Sequence, residues 1–149
     1  MNRLLAVEAL GAVLQQKWED AKKAFDTSRA GATSGEVKQE SKYDTRGIEE
    51  AYLAHGLSNA VREAERAIRD LEEAAAKEVK ESVQVGSLVG CKRDGETVYF
   101  FLSASGGGIE AQVEGVEVTI ISPESPLAQK LMGAGEGKRV GPLQITSVG

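Results

Sequence analysis

The spacing of apolar residues changes once along this chain, near Lys80, and that change limits what the chain can fold into. Before it, apolar and small residues recur every three or four positions: Leu4, Val7, Gly11, Leu14, Trp18, Ala21 and Phe25, then Ala51, Ala54, Leu57, Val61, Ala64, Ile68, Leu71 and Ala75. A helix turns once in about 3.6 residues, so each series marks one face of a helix. After it, β-branched and aromatic residues come in short runs at 83–89, 97–102, 116–121 and 143–148, which is the grammar of strands.

Between the two helical series lies Arg29-Ala30-Gly31-Ala32-Thr33-Ser34-Gly35-Glu36. A connection so short folds the second helix back along the first as an antiparallel hairpin. Gly31 suits the end of a first helix expected to run to about Ser28. Thr33-x-x-Glu36 has the capping-box form, in which hydroxyl and carboxylate each satisfy an amide of the other's turn, and places the start of a second helix running to about Lys80. Trp18 and Phe25 are expected to pack in the seam, with Tyr52 and His55 at its edge.

In the second half, Asp94-Gly95 and Glu114-Gly115 sit between strand-like runs as hairpin turns and predict antiparallel pairing. Ser125-Pro126-Leu127-Ala128-Gln129-Lys130-Leu131-Met132-Gly133 reads as one short helix, with Ser125 as cap, proline at the first helical position and glycine past the end. The expected fold is α+β: residues 1–80 form an antiparallel coiled-coil arm, and residues 81–149 form a small antiparallel β domain with one short helix.

Composition removes several classes of function. With 18 Lys and Arg against 23 Asp and Glu the net charge is −5, and neither half has the basic excess that neutralises a phosphate backbone. One cysteine, Cys91, makes no internal disulfide, and one histidine, His55, has too few partners for a structural zinc site. No apolar run approaches the ~18 residues of a membrane span, and Glu8 interrupts what would be a signal peptide's core, so a cytoplasmic location is expected. Gly106-Gly107-Gly108 lacks the Lys-Ser/Thr of a phosphate loop and reads as a connection between strands.

Glu36, Glu40 and Asp44 fall at four-residue intervals on one face of the second helix, opposite Lys38, Lys42 and Arg46. Carboxylates so placed repel mildly unless a cation visits, and a hard divalent ion such as Mg2+ takes oxygen ligands of this kind. A capping box, a helix dipole and a solvated face explain the same acids without any ligand.

The run Ser125-Pro126-Leu127-Ala128-x-x-Leu131-Met132-Gly133-x-x-x-Gly137 resembles the carboxy-terminal motif of the Gre family of bacterial transcription elongation factors, GreA and GreB. The order of parts also resembles that family, which joins an antiparallel coiled coil to a small FKBP-like sheet domain. The resemblance implies RNA polymerase as partner, with the arm in its secondary channel and the sheet domain gripping the channel rim through Ser125, Pro126 and Leu127. It also implies that tip acids help hold a catalytic Mg2+ shared with the polymerase, so that backtracked RNA is cleaved. Glu40-x-x-Tyr43 matches the family's tip, whereas Val37 stands where its first acid belongs and Glu36 is displaced by one. Weak or absent cleavage is therefore expected, with Glu40 and Glu36 as metal ligands wherever it persists. On this reading the chain is a monomer, touches RNA and DNA only through the polymerase, and is no enzyme beyond assisting the polymerase's own cleavage. A non-cleaving regulator of the same fold and a generic coiled-coil adaptor are the alternatives. A peptidyl-prolyl isomerase ranks below them, since few aromatics line an apolar proline pocket.

Overall fold

The computed structural model describes residues 1–33 and 46–149, and the side chains of 1–29 and 55–149. Two long helices, α1 (Arg3–Thr33) and α2 (Arg46–Ala75), precede strands β1 (Leu88–Arg93), β2 (Glu96–Leu102), β3 (Glu110–Val113) and β4 (Val116–Ile121). A short helix α3 (Pro126–Leu131) and strands β5 (Arg139–Val140) and β6 (Leu143–Val148) complete the chain. Residues Met1–Leu14 and Arg66–Gly149 form one compact unit, and Gln15–Glu65 another.

In the first unit the six strands make one sheet in the order β3-β4-β2-β1-β6-β5. Asp94 and Gly95 have φ of 51° and 81°, and Glu114 and Gly115 have 52° and 80°. Two successive left-handed residues give a turn whose twist suits paired strands, which is why these dipeptides join β1 to β2 and β3 to β4 as hairpins. The expectation of a purely antiparallel domain needs correction at one pairing: β2 and β4 run parallel, from Tyr99 beside Val118 to Leu102 beside Ile121. After β2 the chain goes out to the sheet edge, lays down β3, and returns by hairpin, so β4 can enter beside β2 only in β2's own direction.

Strand side chains alternate between faces, and each face buries a separate core. One holds Leu88, Phe101, Ala111, Val113, Val118 and Ile120 against Ala6, Leu10 and Leu14 of α1 and Ala67, Leu71 and Ala74 of α2. The other holds Val89, Cys91, Leu102, Ile121 and Ile145 against Ala128 and Leu131 of α3. The change of periodicity near residue 80 is thus a change of secondary structure, while the first turns of α1 and the last of α2 belong to the sheet's core. Their directions are opposed: the Arg3 guanidinium reaches the carbonyls of Ala74 and Ala75, and a Cβ on Gly11 would meet Leu71.

This packing rotates the seam away from its expected phase. Leu4 is 64% exposed and the buried stripe is Ala6, Leu10 and Leu14, with Val7 and Gly11 half-buried. On α2 the buried positions are Val61, Ala64, Ala67, Leu71 and Ala74, and Ile68 and Ala75 are half-buried. In the second unit the Trp18 indole donates to Glu65 Oε1 at 3.1 Å, and Lys22 pairs with Asp26 while lying 5.5 Å from the Phe25 ring centroid. Trp18 and Phe25 are half-buried, and His55 is exposed.

Three boundaries also move. Helix α1 continues through Gly31 to Thr33, because alanines on both sides of the glycine carry it across a cost of about 1 kcal/mol, so Thr33 is helical and does not cap the second helix. Helix α2 stops at Ala75 rather than Lys80, where Arg3 takes the last carbonyls. The run 83–89 is not one strand: a turn closes between the Gln84 carbonyl and the Ser87 N–H, Gly86 has φ of 96°, and Ser87 Oγ accepts from the Gln84 N–H. Among the described residues no helix is long and apolar enough to cross a membrane.

Cys91 sits fully buried in β1 between β2 and β6, and burial pushes its thiol above the usual range. The folded thiol keeps its proton where the unfolded one ionises, so its contribution to stability is complete below about pH 8.5 and declines above it. Labelling by a disulfide reagent is expected to run slower than for a free thiol by on the order of 10³ or more, tracking unfolding. Fast labelling of the native protein would contradict that placement. The urea midpoint should fall more steeply above pH 8.5 than it does for Cys91→Val.

Candidate partner-binding site

The segment 122–137 is built outward from a turn. Pro123 occupies the second position of a turn closed by the Ser125 N–H and the Ser122 carbonyl at 3.0 Å, which suits proline's fixed φ. Ser125 then has extended dihedrals, −67° and 147°, and its Oγ accepts from the Ala128 N–H at 3.2 Å. That bond satisfies one of the amides a helix start leaves free, and Pro126 at the next position has none to lose.

The rest of the motif mostly packs. Ala128 and Leu131 are buried, Leu127 is half-buried, and the Gly133 N–H donates to the Val83 carbonyl while the Val83 N–H donates to Ala134. Gly133 and Gly137 have φ of 78° and 88°, the left-handed region that favours glycine, and the Gly137 N–H donates to the Ile145 carbonyl. The motif side chains left facing solvent are those of Pro126 and Met132, the latter 40% exposed, and Gly133 and Gly137 are exposed as backbone. Of the three residues expected to touch a partner, Ser125 is accounted for by capping, Leu127 largely by packing, and Pro126 is exposed.

The acids Glu36, Glu40 and Asp44 lie outside the described residues, as do Val37, Lys38, Lys42 and Tyr43. Among the described residues no group of three or more His, Cys, Asp or Glu side chains gathers as a metal site.

Several working residues carry no sequence signal of their own. Arg3 donates to three carbonyls of distant residues, Ser105 Oγ donates to Asp70 Oδ2 at 2.6 Å, and Gly106 lies against Ala67 of α2. The glycine run therefore seats the β2–β3 connection on a helix. Lys92, Gln144 and Arg139 come into line across β1, β6 and β5, a row that needs the two-residue strand β5 to be seen.

No protein-family model matches the sequence, and no curated protein matches it. The chain is similar to the solved structure of GreA factor homolog 1 (Gfh1) of Thermus thermophilus, at 17% identity over 95% of each chain and a TM-score of 0.36. It is similar also to a structure of the transcription factor Gfh1, at 17% identity over 94% of this chain and 93% of that one, with a TM-score of 0.34. Likeness at that level is too slight to bear on what this chain does.

Proposed function

We propose that this chain is a Gre-type transcription factor that binds RNA polymerase, offering the segment between α1 and α2 to the secondary channel while the sheet domain holds its rim. The observation that carries the reading is the 125–137 segment: a motif resembling that of the Gre family folds into a capped helix that leaves Pro126 and Met132 in solvent. The order of an antiparallel helix pair followed by a sheet domain supports it. The chain is no enzyme here and contacts nucleic acid through the polymerase. Mg2+ enters only as an ion shared with the polymerase, and no step is derived through it, because Glu36 and Glu40 lie outside the described residues.

Retention of the chain by bacterial core RNA polymerase tests the reading. Binding at micromolar concentration is expected, with Pro126→Glu reducing retention about tenfold, a loss of roughly 1.4 kcal/mol. An acid is tolerated in a helix's first turn, so the fold should survive the change. No retention of the unaltered chain would end the proposal. On stalled complexes weak or absent transcript cleavage is expected because Val37 replaces an acid, and Glu40→Ala should abolish whatever remains.

A further inference from the structure

The helices cover only part of their side of the sheet. Facing that side are Leu88, Gly90 and Lys92 of β1, Thr97, Tyr99 and Phe101 of β2, Arg139 of β5 and Gln144 and Ser147 of β6, together with the apolar residues of β3 and β4. Thr97, Lys92, Gln144 and Arg139 form one row across four strands, and all four are exposed. Beside the row, neighbouring side chains close over Gly90: a Cβ there would strike Ser147 Oγ and come within 2.9 Å of the Tyr99 ring and 3.2 Å of Thr146 Oγ1.

The charge that the strands themselves present on this side is of one sign. The strand acids Glu96, Glu110 and Glu117 alternate to the opposite face, leaving Lys92 and Arg139 as the charged strand residues here. Among the described residues neither makes an ion pair. Two free cations are thus set among hydroxyl and amide donors in a chain whose net charge is −5.

We propose that this strip binds an extended acidic segment of a protein partner. Neighbouring strands lie about 4.8 Å apart, so the backbones of Lys92 and Arg139, separated by β6, are about 10 Å apart. On an extended chain in the polyproline-II conformation, which turns once in three residues, carboxylates three residues apart point the same way and span about the same distance, at ~3.1 Å per residue. Arg139 offers a carboxylate a two-pronged donor, Lys92 a point charge, and Thr97 and Gln144 further hydrogen bonds. A nucleic-acid backbone fits less well, since such binding rests on many phosphate contacts and the chain's own negative charge opposes it. The strip lies on the face opposite α3, so this proposal and polymerase binding through Pro126 can fail separately.

The test uses the full chain and two probes of equal charge: a labelled peptide of Glu residues spaced by two Ser, and a labelled oligouridine. At low salt the peptide should bind and shift the amide resonances of Thr97, Lys92, Gln144 and Arg139. Lys92→Glu with Arg139→Glu should weaken it at least tenfold, and the milder Lys92→Gln with Arg139→Gln about fivefold. Lys130→Glu with Lys138→Glu, which lie outside the row, should change it less than twofold. Absence of peptide binding, tighter binding of oligouridine, shifts confined elsewhere, or affinity indifferent to both double variants would overturn the proposal.

Discussion

Arg3→Ala is expected to lower stability by about 3 kcal/mol, a fall in Tm of roughly 6–12 °C for a chain of this size. The Arg3 guanidinium gathers the end of α2 and the turn before β1: Nη1 donates to the Ala75 carbonyl at 2.9 Å, Nη2 to Ala74 at 3.0 Å and to Gly86 at 2.9 Å, and Nε to Gly86 at 3.1 Å. Its Cζ lies 5.8 Å from the centroid of the Phe101 ring. Hydrogen bonds to a charged group contribute roughly 1.5–3 kcal/mol each, but these share one group and are partly open to water, so their sum falls well below four such terms. Arg3→Lys should recover less than half of the loss, because one ammonium cannot meet three carbonyls in a plane. Urea unfolding measures both. A loss below about 1 kcal/mol for Arg3→Ala would mean that water replaces the guanidinium at those carbonyls.

What was legible in the sequence is what local chemistry decides. Strands β4 and β6 fall where β-branched runs placed them, both hairpin turns follow from an acid and a glycine in the left-handed region, and α3 follows from Ser125, Pro126 and Gly133. What was not legible depends on distant partners. Leu4 and Ala6 both suit an apolar stripe, and only the sheet beneath decides that Ala6 is buried and Leu4 exposed. The run 83–89 has strand composition, yet Val83 bonds to residues 133 and 134 while Gly86 turns under the end of α2. The parallel entry of β4 beside β2 is a property of the path between them, which no residue type announces.

The candidate site divides in the same way. The helix start at Ser125 is local, and its capping bond and proline are where the sequence put them. The cationic row is not local, since Arg139 joins Lys92 through Gln144 and a strand of two residues that no periodicity can mark. Arg3 looks like any charged residue near a helix start, and its worth comes from carbonyls more than seventy positions away.

Gly86→Ala is expected to be more damaging than Arg3→Ala, at about 3–5 kcal/mol, and to act on the same junction. Gly86 has φ of 96°, which strains an L side chain by about 1–3 kcal/mol. A Cβ there would also lie 2.6 Å from the Ala74 carbonyl oxygen and 3.3 Å from Lys77 Cβ. The nearer obstacle is backbone, held by Arg3, so it cannot rotate aside, and the Gly86 N–H is itself committed to the Leu102 carbonyl at 2.8 Å. Gly95→Ala supplies the comparison, for Gly95 has φ of 81° but nothing within 4 Å of a Cβ, so it should show conformational strain alone. The difference between the two variants therefore measures the clash. If the clash pushes the Gly86 and Ala74 carbonyls off the guanidinium, Arg3→Ala combined with Gly86→Ala must be less destabilising than the two added together. Strict additivity in urea unfolding would mean that the guanidinium and the turn hold the end of α2 independently.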